Sequence, residues 1–133
     1  MQSARLWFAR VTMAYAFLIF AFLSWLYVME PLQHIAGFGI SATGSPESIN
    51  FLRAGPGALF LGMTLYAGYG LARPAQLHRC LGVLVVLNAC VVTVRLYGMA
   101  LDGVTPKQLS ELRNEGLSWL MFVGAWLASR PGR

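Results

Sequence analysis

Charge is what this chain has least of. Asp, Glu, Lys and Arg make up 11% of its 133 residues, against roughly 25% in an ordinary soluble domain. The acids are Glu30, Glu47, Asp102, Glu111 and Glu115, and Lys107 is the single lysine. Cysteine is scarce as well. Cys80 and Cys90 fall on one expected helix, roughly 15 Å apart along its axis, so they cannot bridge each other and read as small apolar side chains. Two histidines and two cysteines show no metal-ligand spacing, and there is no phosphate-binding Gly loop, no HExxH helix and no GxSxG elbow. Metal, nucleotide and serine-nucleophile chemistry therefore have no support, and no cofactor is expected. No basic patch interleaved with aromatics is present either, which excludes nucleic acid as the expected partner.

What the chain has in quantity is apolar sequence: 57% of it is hydrophobic, with a mean hydropathy of +0.60. Four runs carry it, Val11 to Met29, Ala54 to Ala72, Cys80 to Leu101 across Arg95, and Leu109 to Ser129 across Glu115. The expected fold is all-α, a bundle of four transmembrane helices at about 8–29, 50–72, 79–101 and 107–129, in one integral membrane domain covering 1–133. The first run follows Arg5 and Arg10 as a secretory signal does. It is longer than the roughly 7–15 residues of such a segment, and Glu30-Pro31-Leu32-Gln33 offers no small-residue cleavage site, so a retained helix is expected.

The charges also predict orientation. Arg5, Arg10, Arg73, Arg79, Arg130 and Arg133 fall at the two ends and in the connection between the second and third runs, with no acid among them. All the acids fall on the other side, with Arg53, Arg95, Lys107 and Arg113. The positive-inside rule then places both termini in the cytoplasm and the protein in the cell inner membrane. The basic rim suits anionic lipid headgroups, so membrane lipids are expected partners.

A weak internal repeat runs through the sequence. Ser45-Pro46 precedes Leu52-Arg53 as Thr105-Pro106 precedes Leu112-Arg113, and the two stretches end at Ala72-Arg73-Pro74 and Ser129-Arg130-Pro131. Each start offers a hydroxyl N-cap and Pro at the first helical position, and Gln108 adds a capping box. Two helical hairpins in the same orientation follow from this pattern, although any helix that starts at a membrane surface favours Ser/Thr-Pro.

The charges inside the last two runs point to a site. The uncharged stretches beside Arg95 and Glu115 each cover only roughly 21–23 Å of a layer about 30 Å thick. Both residues are therefore expected within the membrane and at equal depth, where an ionisable group is costly and calls for a partner of opposite sign. By the same arithmetic Arg53 and Asp102 fall near the outer boundary, with His34, Glu30, Glu47 and Asn50 in the same outer region. Three uses stay open: ion pairs that staple helices, a pocket in which Arg53 and Arg95 hold an anionic head group by their planar forks, or acid–base chemistry by Glu115.

The run Asn50 to Gly62 with Arg53, then Arg95 followed by Asp102-Gly103, then Glu115 in the last helix, resembles a family of small bacterial four-helix membrane proteins catalogued as a domain of unknown function. The resemblance covers about Arg10 to Ala128. Where that family tends to have an aromatic and two glycines after the first Arg, this chain has Gly55-Pro56-Gly57. It implies that Arg53, Arg95, Asp102 and Glu115 matter, without naming a reaction.

The expected function is a membrane binding or accessory protein whose outer-leaflet polar site, formed from Arg53, Arg95, Glu115, Asp102, His34 and Asn50, holds a small amphipathic, anionic molecule or a partner's helix. The alternatives are a membrane enzyme using Glu115 on a lipidic substrate, or a transporter subunit. Ala58-xxx-Gly62 and Gly124-xxx-Ala128 permit close helix packing within the bundle or in a homo-oligomer. Pro56 predicts a kink beside Arg53, Asn88 and Thr93 read as helix-to-helix glue, and Trp7, Trp25 and Tyr27 as interfacial anchors.

Overall fold

Among residues 2–130, which the computed structural model describes, every regular element is helical. Pro131 and Arg133, parts of the repeat and of the charge pattern, lie outside the described residues. The helices are α1 (Gln2–Met29), α2 (Pro31–Ala36), α3 (Pro46–Leu52), α4 (Ala58–Ala72), α5 (Leu77–Asp102) and α6 (Pro106–Ala128). A π-helical turn, Arg53–Gly57, joins α3 to α4, and a 3-10 turn, Pro74–Gln76, precedes α5.

Two helical stretches, Ser3–Met29 and Pro74–Asp102, are long and apolar enough to cross a membrane. The other two expected spans differ in kind. Lys107, Glu111, Arg113 and Glu115 load the first half of α6 with charge, and α4 is only 15 residues long because the π-helical turn interrupts it. Both helix starts behave as their sequence predicts. Ser45 Oγ accepts from the Ser48 N–H at 3.2 Å, while Thr105 and Gln108 close a complete capping box at 3.2 and 2.8 Å.

The chain packs as two units, one running up to Met13 and from Gly70 onward, the other Ala14–Tyr69. In the first, α5 and α6 form an antiparallel hairpin. Its partners Arg95 with Glu115, Val85 with Trp119, and His78 with Ser129 advance in opposite directions along the two helices. The reversal needs Gly103, whose φ of +92° strains any residue with a side chain. Met13, Cys80, Leu81, Leu84 and Phe122 fill this unit's core, each 1% exposed or less. Gly70 lets α4 approach: a β-carbon there would stand 3.0 Å from Cys80 Cβ and 3.1 Å from Met13 Cε.

In the second unit, Phe60 stacks against Phe20 and Tyr27 at centroid distances of 6.2 and 5.7 Å. Pro56 brings a π-helical widening rather than a bare kink, since its ring cannot pass the carbonyl one turn back and its nitrogen donates nothing. Ser24 Oγ, buried on α1, donates to the Gly57 carbonyl at 3.1 Å and so satisfies the end of the widened turn. Ser24→Ala removes this bond between α1 and the widened turn and should cost about 1 kcal/mol. Thermal unfolding in detergent measures this, and an unchanged midpoint would contradict the role given to Ser24.

Several side chains differ from expectation. Asn88 and Thr93 donate to Leu84 and Ala89 carbonyls of their own helix, at 3.0 and 2.7 Å, instead of bridging helices. A β-carbon on Gly62 would meet nothing within 4 Å, so Ala58-xxx-Gly62 is not a close-packing seam within this unit, whereas Gly124 faces Phe8 at 3.7 Å. The surface itself is apolar. On α5 alone Val86, Val94, Tyr97 and Leu101 are each more than 60% exposed, a pattern that water-facing helices avoid.

Candidate functional site

The charged site lies in the first unit, between α5 and α6. Glu111 and Glu115 are one helical turn apart and share a face of α6, an arrangement of like charges that weakens a helix unless a cation answers it. Arg95 answers both. Its Nε and Nη2 donate to the two oxygens of Glu115 at 2.5 and 2.6 Å, and its Nη1 donates to Glu111 Oε2 at 2.7 Å. The side chains of Arg95 and Glu111 are 26% and 22% exposed, and that of Glu115 is 25% exposed. The bidentate fork fixes the guanidinium plane as well as its position.

This geometry limits the chemistry. Both oxygens of Glu115 are spent on Arg95, which leaves a poor general acid or base, while Glu111 spends one. Two carboxylates around one guanidinium also make the group formally negative by one charge. The pairing of Arg95 with Glu115 at one level agrees with the depth read from the sequence. Glu111 was missed there, although its place one turn before Glu115 was a usable signal.

Beside the triad the surface of α5 is hollowed. A space of about 490 Å³ lined by Cys90, Val91, Val94 and Arg95 adjoins one of about 370 Å³ bordered by Val86, Thr93 and Trp119, and the two share Cys90 and Val94. Together they form an open apolar groove along α5 that ends at Arg95. Trp119 is fixed against it by donating Nε1–H to the Val85 carbonyl at 3.2 Å. Asp102, the last residue of α5, is exposed.

A second polar cluster sits at the far end of the same hairpin. The Trp126 indole stacks with His78 at a centroid distance of 5.5 Å, and the Arg130 guanidinium lies 4.9 Å from its ring centre. Ser129 gives its hydroxyl proton to the Trp126 carbonyl at 2.9 Å, so it accepts at 3.0 Å from His78, whose Nδ1 then carries hydrogen. Arg5 donates to the Leu127 carbonyl at 3.4 Å. Arg5 and Arg130 thus stand at the negative end of the α6 dipole.

The remaining expected residues belong to the second unit. Arg53 Nε donates to the Val28 carbonyl at 2.8 Å, closing one of the last carbonyls of α1, which lack helical partners. His34 stands edge-on to Tyr27 at 4.5 Å and to Phe38 at 5.2 Å, and burial pushes its imidazole below the ordinary range. Asn50 is exposed near the end of α3, where its carbonyl accepts from the Arg53 N–H. Glu47 is held below the usual carboxylate range by its own backbone N–H and then by Ser45.

The fold and site define an all-α protein with two helices apolar enough to cross a membrane and an arginine held by two glutamates at the end of an apolar groove. The chain belongs to the family described as Domain of unknown function (DUF4345), whose model matches residues 8–112. The matched stretch takes in Arg53, Arg95, Asp102 and Glu111 and ends before Glu115. No match was found among curated proteins or among solved structures.

Proposed function

We propose that this is an integral protein of the cell inner membrane, with four spanning segments and both termini cytoplasmic, that binds a small amphipathic molecule as a carrier or accessory protein. The observation that carries the reading is the apolar groove on α5 that ends at Arg95, whose guanidinium is held in place by Glu111 and Glu115. A charged group beside an open apolar groove matches a molecule with one polar end and one alkyl end. Apolar side chains exposed on α1, α5 and α6 outside the groove, among them Leu18, Tyr97, Leu101 and Leu120, support a lipid surround.

The ion pairs also tie α5 to α6, and the two roles are compatible. Glu115 as acid or base gains nothing from a geometry in which Arg95 occupies both its oxygens. Binding is tested by thermal stability in maltoside micelles with and without added twelve-carbon amphiphiles. The wild type should rise in midpoint and Val94→Trp, which fills the groove, should not. Equal responses of the two would remove the support for the groove.

Orientation has its own test. Single cysteines at Ser41 and Val104, both exposed, placed in a variant lacking both native cysteines, should react with an impermeant thiol reagent added outside intact cells. A cysteine at Ala75 should react only after the membrane is opened. Labelling of Ala75→Cys from outside would reverse the topology.

A further inference from the structure

Of the charged cluster, Arg95 lines the groove and neither Glu111 nor Glu115 does. What a head group meets there is the arginine. A guanidinium carries five N–H donors, and Arg95 directs three of them at carboxylate oxygens, which leaves one on Nη1 and one on Nη2. Its charge is already answered. Glu115 takes it side-on, Glu111 holds a third N–H, and residues 95–115 carry three cations, Arg95, Lys107 and Arg113, against three acids, Asp102, Glu111 and Glu115. The end of the groove therefore offers hydrogen bonds to an acceptor without an excess of charge that an ionic head would neutralise.

We propose that the groove holds a neutral lipid with a carbonyl head, a long-chain ketone, ester or quinone, its oxygen on a remaining N–H of Arg95 and its chain laid along Val94, Cys90 and Val86 towards Trp119. This deepens the binding reading above and rests on it. In the membrane placement proposed there, Arg95 lies roughly 7–9 Å inside the outer boundary. A carboxylate, phosphate or ammonium is costly at that depth, and a hydrogen-bonded carbonyl is not. From Arg95 to Val85 the groove then follows roughly 15 Å of helix and crosses the bilayer midplane. A phospholipid held by its head at the outer surface does not take that course, whereas a neutral lipid dissolved in the hydrocarbon layer can. The stretch away from Arg95 suits an alkyl chain, because Thr93 returns its hydroxyl proton to Ala89 and Trp119 gives its indole N–H to Val85. Neither donor is left over.

Cys90 provides a reporter in place. It lines both parts of the groove and is exposed, whereas Cys80 is buried in the helix packing. The wild-type protein is set in nanodiscs of diether phosphatidylcholine, a lipid without carbonyl groups, and modification of Cys90 by methyl methanethiosulfonate is followed by peptide mass spectrometry. The probes are 2-tridecanone, n-tridecane and n-dodecanoate. The ketone should protect Cys90 at about a tenth, or less, of the mole fraction that tridecane needs, the factor expected for one hydrogen bond to a charged donor. It should also act at a lower mole fraction than dodecanoate. Replacing Arg95 by Met together with Glu111→Gln and Glu115→Gln should erase the advantage over the alkane while leaving the groove able to take a chain. Glu111→Gln alone removes one of the two carboxylates that answer Arg95, and should move the preference towards dodecanoate. Val94→Trp should abolish protection by all three probes.

A ketone no better than tridecane, dodecanoate acting on the wild type at a lower mole fraction than the ketone, or a ketone advantage that survives in the triple variant would overturn the head-group assignment. Each would leave the binding reading standing. No protection of the wild type by any probe, under conditions where Val94→Trp alone slows labelling, would overturn both. Discs of ester-linked phosphatidylcholine identify the source of the carbonyl. Cys90 that stays reactive there until the ketone is added supports a neutral lipid, and Cys90 protected there with no probe would give the site to a bilayer phospholipid and overturn the neutral one.

Discussion

Replacing Arg95 by Ala is expected to destabilise the protein by about 3 kcal/mol, the lower end of the cost of stripping one partner from a buried ion pair. The lower end applies because about a quarter of each side chain is exposed. The loss has two parts. Two carboxylates one turn apart on α6 are left facing each other, and the fork that ties α5 to α6 is gone. Glu115→Ala should cost less, since Arg95 keeps Glu111, and the double variant less than the sum of the singles. Equilibrium unfolding of the four proteins in detergent gives the coupling energy directly. Strict additivity would mean that the two residues do not interact in solution. Replacing Arg95 by Met together with Glu111→Gln and Glu115→Gln should recover much of the loss, because no charge is then left without its counterion.

The second large effect belongs to Gly70. A β-carbon there already stands 3.0 Å from Cys80 Cβ, an atom tied to the α5 backbone, so a longer side chain can be housed only by moving α5 away. Gly70→Leu should cost about 1–3 kcal/mol, the usual range for overpacking. Gly62→Leu is the matched control, since that position opens onto space. It should be neutral or slightly stabilising, because removing Gly from a helix favours the helix by about 0.5–1 kcal/mol. Thermal midpoints of the two variants against wild type decide the matter, and equal losses would contradict the close approach at Gly70.

These effects show why some features were legible in the sequence and others were not. The capping box at Thr105 and Gln108 and the cap at Ser45 depend on neighbours in the chain, so their spacing alone revealed them. Arg95 and Glu115 were legible because depth along a straight helix is simple arithmetic. Glu111 escaped because the same arithmetic puts it one turn away from the level of Arg95, a gap that the reach of the guanidinium closes. The short helix α2 lay outside the four expected runs, although Pro31 stands at its first position, where proline favours a helix start. Pro56 predicted disruption but not its form, since a missing N–H can be accommodated by a bend or by a π-helical turn, and here it lies in the latter. Asn88 and Thr93 found acceptors one turn back in α5, an outcome that competes with interhelical bonding whenever a carbonyl is in reach.

The central claim is that a molecule with one polar and one alkyl end is held between the triad and the α5 groove. The most direct measurement is native mass spectrometry of the protein released from its own membrane, comparing wild type with Val94→Trp and Glu111→Gln. The account predicts a stoichiometric amphiphile on the wild type, absent from Val94→Trp and depleted in Glu111→Gln. A wild type that emerges bare, or the same adducts on all three proteins, would contradict it.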